Sequence, residues 1–344
     1  MKQYIAYMNR CIDLARMAQG QTSPNPLVGC VVVNPAGEIV AEGFHKKYGE
    51  NHAERDALLK LDSAEGCTLF VNLEPCSHYG KTPPCADLII QKGIKKVVYG
   101  MVDPNPLVAG NGIKKLKNAG IEVVGAFMEN ECRKLNEIFI KNQTEHKTFV
   151  AIKTATTIDG KISTHNGNSQ WITSEPARQK ARNLRQNYDA ILTSSSTVIF
   201  DNPQMVHKTK IILDRELKTD INSKIYEQGE IYIFYNTGNP QNSERITYIQ
   251  TQLKDDRLDI EFILKKLYDL GIMSVFVEAG GILNASFLPY ADKFFHFVAP
   301  KILGDNSGKS CFMGETVDKI SDCTDLKFES FEICEPDILL TYSK

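Results

Sequence analysis

Three side chains that can ligate a metal constrain this sequence more than any other feature. His52 lies in Asn-His-Ala-Glu, and Cys76 and Cys85 begin and end the segment Cys-Ser-His-Tyr-Gly-Lys-Thr-Pro-Pro-Cys. Each stands at a predicted junction between a strand and a helix. One imidazole and two thiolates supply three ligands of a tetrahedral zinc ion and leave the fourth position for water, as in catalytic zinc sites. The sequence therefore predicts a fold that brings these junctions together around one zinc ion.

Glu54 follows His52 by two residues and is predicted to act on the bound water rather than to ligate the metal. A carboxylate there can accept a proton from water and return it to a ring nitrogen and to leaving ammonia. Zinc deaminases of nucleobases share an H-x-E and P-C-x-x-C pattern, whereas eight residues separate the cysteines here. A helix-capping histidine and two buried cysteines are the simpler interpretation, but it does not explain why the motifs occur together in this order. The pattern indicates a nucleobase-type deaminase in the first half.

The order of predicted elements favours two α/β domains. At 344 residues the chain exceeds the roughly 250–300 at which a single core usually stops growing. The first half is predicted to contain helices at 3–19, 52–61, 84–92, 112–119 and 128–142, and strands at 28–33, 38–43, 68–73, 96–100 and 121–125. The second half is predicted to contain strands at 149–153, 190–193, 211–213, 230–235 and 274–277, and helices at 175–187, 260–270 and 283–288. An opening hairpin followed by alternating strands and helices favours an α/β/α sandwich with a mixed sheet. The polar run 141–147 is the predicted linker, which gives domains at 1–146 and 147–344.

Composition narrows the class of partner and the compartment. The net charge is −2, so we expect no nucleic acid and no membrane as partner, because both favour a basic surface. Nine cysteines, an odd number without secretory features, favour free thiols and a metal site over a disulfide framework. We therefore expect a cytoplasmic enzyme whose substrate is a small molecule.

Several longer segments carry a family resemblance. They are the Cys76–Cys85 loop, residues 24–30 (PNPLVGC), residues 103–110 (DPNPLVAG), residues 153–162 (KTATTIDGKI), residues 169–174 (SQWITS), residues 201–203 (DNP) and residues 277–281 (VEAGG). Together they resemble the bifunctional deaminase–reductases of bacterial riboflavin biosynthesis over nearly the whole chain. The resemblance implies a cytidine-deaminase-like first domain and a dihydrofolate-reductase-like second domain that uses NADPH.

The resemblance also implies substrates and site residues. The first domain would deaminate a diamino-hydroxypyrimidine bearing a phosphoribosylamino group, and the second would reduce the ribosyl group to a ribityl chain. The positions that match the family's pyrimidine pocket are Asn25, His45, His78, Lys81, Asp103 and Asn105. In the second domain, the matching reduction-site positions are Lys153, Asp201 and Glu278. The substrate would face Ser169, Arg185, Met205, Lys208 and Glu278. The cofactor would face Ala155, Trp171, Thr197, Asp201, Gly280, Gly281, Ile282, Leu283, Asn284, Ala285 and Ser286. Asn25, Asp103 and Asn105 could instead shape turns next to prolines.

One stretch departs from the family pattern. After Asp201 the family typically reads D-P-x-L-T-x-R, and this chain reads Asn-Pro-Gln-Met-Val-His-Lys. Lysine at 208 loses the bidentate phosphate recognition of arginine. An alternative is therefore a deaminase whose second domain only binds a nucleotide or assembles the oligomer. A deaminase of tRNA or free cytidine is another, which the acidic balance and the long cysteine loop oppose. By resemblance, the enzyme is expected to be a homo-oligomer, either a dimer or a tetramer.

Overall fold

The chain divides into two compact units, which are described separately. The structure is a computed structural model that describes residues 1–78, 83–106, 108–241 and 243–344. The first unit is Met1–His146 and the second is Lys147–Lys344. Within the described residues, no helix is long and apolar enough to cross a membrane.

The described part of the first unit contains a five-stranded mixed sheet flanked by helices. The strands are β1 (Gly29–Val33), β2 (Ile39–Phe44), β3 (Thr68–Leu73), β4 (Lys96–Met101) and β5 (Glu122–Val124), in the spatial order β2-β1-β3-β4-β5. Strand β1 runs antiparallel to β2 and β3, whereas β3, β4 and β5 are parallel. The helices are α1 (Lys2–Arg16), α2 (Ala53–Leu58), α3 (Cys85–Gln91), α4 (Asn111–Asn118), α5 (Glu129–Leu135) and α6 (Glu137–Glu145). The predicted mixed sheet is confirmed.

Two glycines show how helices cover both faces of this sheet. A Cβ atom on Gly29 would lie 2.0 Å from the carbonyl oxygen of Cys11 in α1, and one on Gly43 would lie 2.4 Å from that of Ala53 in α2. Gly43 pairs with Cys30, and adjacent residues of a strand point to opposite faces. Helices α1 and α2 therefore pack closely against opposite faces, and all five residues of β1 between them are buried.

The prediction of a single helix at 128–142 is wrong, because the structure has two helices there, α5 and α6. Asn136 separates α5 from α6 and is buried. Its Oδ1 accepts the N–H of Leu27 at 2.8 Å, and its Nδ2 donates to the carbonyl of Leu27 at 3.0 Å. The helical pattern continues across this break, so the sequence did not show it. The predicted linker is also too long, since residues 141–145 belong to α6.

The described part of the second unit is built on a nine-stranded sheet. Its spatial order is β11-β10-β9-β8-β14-β6-β15-β18-β17. All neighbours from β11 to β15 are parallel, and β18 runs antiparallel to both β15 and β17. These strands are β6 (Phe149–Thr157), β8 (Ala190–Ser194), β9 (Thr209–Leu213), β10 (Glu230–Tyr235), β11 (Ile246–Gln250), β14 (Ser274–Val277), β15 (Lys293–Ala299), β17 (Lys327–Cys334) and β18 (Asp337–Ser343).

Helices and short strand pairs complete the second unit. The helices are α7 (Glu175–Arg185), α8 (Ser195–Asp201), α9 (Ile260–Asp269) and α10 (Gly281–Phe287), with 3-10 turns at Lys224–Tyr226, Leu288–Tyr290 and Ile320–Asp322. The strand pairs are β7 (Lys161–Ser163) with β16 (Lys309–Ser310), and β12 (Leu253–Lys254) with β13 (Arg257–Leu258). Helix α8 was not predicted. It begins after Ser194, whose hydroxyl accepts the N–H of Thr197 at 3.3 Å, which is ordinary capping by serine.

Candidate active sites

The three predicted zinc ligands meet between the first turns of two helices. His52 immediately precedes α2, and Cys85 is the first residue of α3. The Nδ1 atom of His52 lies 3.5 Å from Sγ of Cys76 and 3.6 Å from Sγ of Cys85. Ligands at ordinary Zn–N and Zn–S lengths around a tetrahedral ion stand about 3.6 Å apart. The residues therefore fit zinc without rearrangement.

The surroundings of Cys76 favour its thiolate. The Cys85 thiol and the His52 ring both hydrogen-bond to it and lower the pKa of Cys76. Its Sγ also accepts the backbone N–H of Cys85 at 3.3 Å, at the N-terminal end of α3, where the helix dipole favours an anion. Cysteine binds a metal ion as its thiolate. The hydrogen bond and the helix dipole at the start of α3 therefore favour the form of Cys76 that binds a cation.

Glu54 lies in the same pocket as His52 and Cys76 and is almost fully buried, with 3% of its surface exposed. Burial raises the pKa of Glu54 to about 7, and the Cys76 thiolate adds to this rise. The carboxyl group stands on the first turn of α2, two residues after the histidine. Its position matches the predicted one beside the metal, and its acid–base role stays a prediction.

A cavity of about 340 Å³ opens in front of these residues. It is lined by five of the predicted substrate residues: Asn25, His45, His78, Asp103 and Asn105. Lys81, the sixth, lies outside the described residues. The volume lies at the lower end of the range typical of small-molecule pockets.

His45 fixes the orientation of the Asn25 side chain in this cavity. Its Nδ1 lies 3.0 Å from the carbonyl oxygen of Asn51, and its Nε2 lies 3.1 Å from Nδ2 of Asn25. Burial lowers the pKa of His45, which favours the neutral ring. Nδ1–H then donates to Asn51, and Nε2 accepts from the amide of Asn25. The amide of Asn25 is thereby held with its nitrogen towards His45.

Glu74 anchors another part of the cavity lining. Its buried carboxylate accepts the backbone N–H groups of Gly110 and Gly112, both at 2.9 Å, together with those of Asp103 at 3.3 Å and Ile113 at 3.2 Å. Asp103 in turn accepts the N–H of Asn105 at 2.9 Å. The turn that sequence reasoning considered for these two residues is present, and the same residues line the cavity.

Sequence reasoning missed part of this cavity. Tyr48, Phe139 and Gln143 also line it. Phe139 and Gln143 are four residues apart on α6 and so share a face of that helix. They are far in sequence from the zinc motifs, and only the fold brings α6 to the pocket.

The second unit contains a larger cleft of about 1330 Å³. Most predicted reductase residues line it: Lys153, Ala155, Ser169, Trp171, Arg185, Thr197, Asp201, Met205, Glu278, Gly280, Gly281, Ile282, Leu283, Asn284 and Ser286. Lys208 and Ala285 are not among the described residues that line it. Lys208 is exposed and its carbonyl accepts the N–H of Glu230, while Ala285 lies against Gly314. For both residues, contact with a ligand stays a prediction.

Glu278 is the electrostatic centre of this cleft. Its carboxylate forms two hydrogen bonds with Arg185, one of them 3.0 Å from Nη2 to Oε2, and lies 3.4 Å from Nζ of Lys153. Burial alone would raise the pKa of Glu278, but Lys153 and Arg185 together lower it to about 2. The carboxylate is therefore ionised and holds both cations in fixed positions.

Two glycines at the start of α10 line the cleft. A Cβ atom on Gly280 would meet nothing within 4 Å, so its backbone faces open space, whereas one on Gly281 would lie 2.3 Å from the carbonyl of Ser310. Asn284 is buried and donates to the carbonyls of Ala279 at 3.2 Å and Cys311 at 3.0 Å, which holds α10 in place. The cleft exceeds an ordinary ligand pocket, and its size and exposed backbone fit NADPH together with a second nucleotide.

Six cations that the motifs did not indicate also line the cleft: Arg178, Arg182, Arg215, Lys224, Arg257 and Lys309. Arg178 and Arg182 are on α7, and the other four come from four different segments and carry no local sequence signal. The spacing of 178, 182 and 185 along one helix is the exception, because such residues share a face.

These features define a class of protein: an enzyme with a zinc-type nucleobase deaminase site in one α/β unit and a nucleotide-sized cleft in another. Comparisons with known proteins agree. Residues 1–101 match the family model "Cytidine and deoxycytidylate deaminase zinc-binding region", and residues 148–340 match "RibD C-terminal domain". The chain belongs to the RibD family of riboflavin biosynthesis, and it is a bifunctional deaminase and reductase.

Relatives match along the whole chain. The riboflavin biosynthesis protein RibD of Actinobacillus pleuropneumoniae is 40% identical over 98% of this chain and 94% of its own length. A crystal structure of the diaminohydroxyphosphoribosylaminopyrimidine deaminase/5-amino-6-(5-phosphoribosylamino)uracil reductase of Thermotoga maritima has a TM-score of 0.91 at 38% identity, covering 99% of each chain. RibD of Acinetobacter baumannii has a TM-score of 0.89 at 34% identity, again over 99% of each chain. The predictions of the family and of both activities are confirmed.

Proposed function

We propose that the chain deaminates 2,5-diamino-6-(5-phosphoribosylamino)pyrimidin-4-one to 5-amino-6-(5-phosphoribosylamino)uracil and then reduces the ribosyl group to ribityl with NADPH. The single observation that carries the proposal is the spacing of the ligand atoms of His52, Cys76 and Cys85, which suits tetrahedral zinc, in a pocket shared with Glu54. The Thermotoga maritima relative carries these two substrates in its name.

In the first step, water replaces the ring amino group. A C–O bond forms at the ring carbon, the C–N bond breaks, and ammonia leaves. Zinc held by His52, Cys76 and Cys85 would supply the Lewis acidity that activates the attacking water. Glu54 carries one proton of that water to the ring nitrogen, and then carries the second, from the hydroxyl group formed by the attack, to the leaving amine. Asn25 and His45 hold the polar edge of the pyrimidine.

In the second step, the sugar ring opens and its first carbon is reduced. NADPH held along Thr197, Gly280 and Gly281 would supply the hydride for that carbon. The bond from this carbon to the ring oxygen breaks, and the oxygen takes a proton to become a hydroxyl group. We assign this proton to the ammonium group of Lys153, which Glu278 holds 3.4 Å away inside the cleft. Asp201 accepts a hydrogen bond from the hydroxyl group of Ser169 at 3.3 Å, and this bond positions the Ser169 side chain towards the substrate.

The proposal assigns deamination to residues 1–146 and reduction to residues 147–344, because each set of residues lies within one compact unit. The direct experiment adds the diaminopyrimidine nucleotide to purified protein and follows ammonia and NADPH oxidation together. Ammonia should appear first and NADPH should be consumed afterwards, with NADH a poorer donor. Ammonia without NADPH oxidation would leave the second unit as a binding or assembly domain.

We further propose that the enzyme is a homo-oligomer joined through β17. Among the described residues, β17 has a neighbouring strand on one side only, and Phe328, Phe331 and Ile333 on it are each more than half exposed. An open, apolar edge strand is a template for pairing with another chain. In sedimentation experiments the wild type should be a dimer or a tetramer and Phe331→Lys should be smaller. A wild type that sediments as a monomer would refute this.

The cytoplasm is the proposed compartment. All nine cysteines lie in described residues and are free thiols, as expected in a reducing environment.

A further inference from the structure

Asn136 joins two parts of the lining of the first cavity. Its Oδ1 accepts the N–H of Leu27 at 2.8 Å, and its Nδ2 donates to the carbonyl of Leu27 at 3.0 Å. Phe139 follows Asn136 on α6, Asn25 precedes Leu27 by two residues, and both Phe139 and Asn25 line the cavity. Asn136 itself is buried and is not among the described residues that line it. One buried side chain therefore fastens α6 to the segment that carries Asn25.

The segment around Asn25 has few backbone groups by which it can be held. Residues 24 and 26 are both proline, and proline has no N–H group to donate. The carbonyl of Leu27 accepts from two buried amides, Nδ2 of Asn72 at 2.9 Å and Nδ2 of Asn136, whereas the N–H of Leu27 donates to Asn136. After a substitution at 136, Asn72 can still hold the carbonyl, but the N–H loses its partner.

Loss of the Asn136 amide would therefore displace the segment. A backbone N–H without a partner is costly away from water, and Leu27 is half-buried, so the backbone would have to shift until water reaches this group. Asn25 lies two residues away, and its amide nitrogen is 3.1 Å from Nε2 of His45. A shift at Leu27 would disturb this contact and with it the orientation of a predicted pyrimidine-binding side chain.

The predicted zinc ligands are carried by other elements. His52 immediately precedes α2, and Cys85 begins α3, whereas both side-chain hydrogen bonds of Asn136 go to Leu27. Loss of Asn136 should therefore weaken the binding of the pyrimidine and leave metal binding and the proposed proton transfer by Glu54 intact.

We propose that Asn136 is a positioning residue for deamination, which holds Asn25 in the orientation that binds the pyrimidine and acts through the backbone of Leu27. The inference rests on the proposed function for the identity of the pyrimidine. The coupling between Asn136 and Asn25 rests on the two hydrogen bonds to Leu27 and holds for any pyrimidine that Asn25 binds.

The kinetic test is a double-mutant cycle between Asn136 and Asn25. In Asn136→Ala, KM for 2,5-diamino-6-(5-phosphoribosylamino)pyrimidin-4-one should rise about ten-fold, the effect of losing one or two neutral hydrogen bonds, while kcat and zinc content stay within about two-fold. Asn25→Ala should raise KM by a similar factor. The double variant should be little worse than Asn25→Ala, because both changes remove the same contact with the substrate. Effects that multiply in the double variant would overturn the proposal.

Two further variants separate positioning from a general loss of stability. Asn136→Ser keeps a residue type that is preferred at the start of a helix but lacks the amide that bonds both groups of Leu27, so its KM should rise as in Asn136→Ala. Cys132→Ala removes a buried side chain from α5 and should lower the unfolding temperature without changing KM. A wild-type KM in Asn136→Ser, or an equal rise in Cys132→Ala, would also overturn the proposal.

A binding measurement separates this proposal from the proposed deamination. Calorimetry with 5-aminouracil as the probe should show binding that Asn25→Ala and Asn136→Ala each weaken about ten-fold, again without multiplying in the double variant. This pattern in a protein that releases no ammonia from the nucleotide would refute the deamination and keep the positioning by Asn136. Binding that Asn25→Ala weakens and Asn136→Ala leaves unchanged would refute the positioning.

Discussion

Replacing Glu278 with glutamine isolates the contribution of one buried carboxylate to the pH dependence of stability. The pKa of Glu278 is about 2 in the folded chain, against 4.5 for an ordinary glutamate. As the pH falls, the unfolded chain therefore takes up this proton first. The stabilisation is complete above about pH 4.5 and is lost as the pH approaches 2.

The magnitude follows from these two pKa values. Relative to neutral pH, the stabilisation lost by protonating this carboxylate is about 2 kcal/mol at pH 3 and only about 0.2 kcal/mol at pH 5. Between pH 5 and pH 3 the free energy of unfolding of the wild type should therefore fall by about 2 kcal/mol more than that of Glu278→Gln. The lower stability of the variant at pH 7 does not enter this difference.

Urea unfolding of the wild type and of Glu278→Gln at several pH values measures this difference in the free energy of unfolding. Trp171 is the only tryptophan of the chain and belongs to the second unit, so its fluorescence follows the unit that contains Glu278. The control is Glu332→Gln, which removes an exposed carboxylate paired with Lys180 and should follow the wild-type profile. Parallel profiles for wild type and Glu278→Gln would refute the assignment of Glu278 as an ionised buried carboxylate.

Three further predictions concern the two sites. Purified protein should contain about one zinc per chain by elemental analysis, and Cys76→Ser combined with Cys85→Ser should abolish it; zinc retained in that variant would exclude this ligand set. Glu54→Gln should keep zinc but release ammonia at least about 100-fold more slowly, because proton transfer contributes about 10²–10⁴, and near-wild-type ammonia release would remove Glu54 from the mechanism. Lys153→Met should keep ammonia release while NADPH oxidation on the deaminated nucleotide falls by about the same factor; equal loss of both activities would indicate a structural role.

Local patterns were sufficient to predict much of the first site. His52 and Cys85 each stand at the start of a helix. Because structural and catalytic zinc ions are nearly always tetrahedral, a motif with these ligand types also predicts how the ligand atoms are arranged. Strand β10 was predicted at its observed bounds because its apolar run ends at turn residues on both sides. Such features depend on neighbours in sequence and can be predicted from them.

Other features depend on contacts between distant residues. The helix break at Asn136 exists because that side chain binds Leu27, and no pattern around 136 indicates it. Phe139 and Gln143 reach the cavity only because α6 packs beside it. Lys208 was assigned from the family resemblance alone, and in the structure its side chain is exposed.

The carboxylate of Glu74 has a consequence for how this fold can change during evolution. It sits two residues before Cys76, a predicted zinc ligand, yet it accepts hydrogen bonds from four backbone N–H groups at 103 and beyond. Backbone groups are the same whatever side chains the loop carries. The side chains of this loop that line the cavity can therefore be exchanged for others without loosening the attachment of the loop. Loss of the Glu74 carboxylate would remove all four of these hydrogen bonds and detach the loop. Because of this one residue, the side chains of the loop can change during evolution while the residues around Cys76 stay the same.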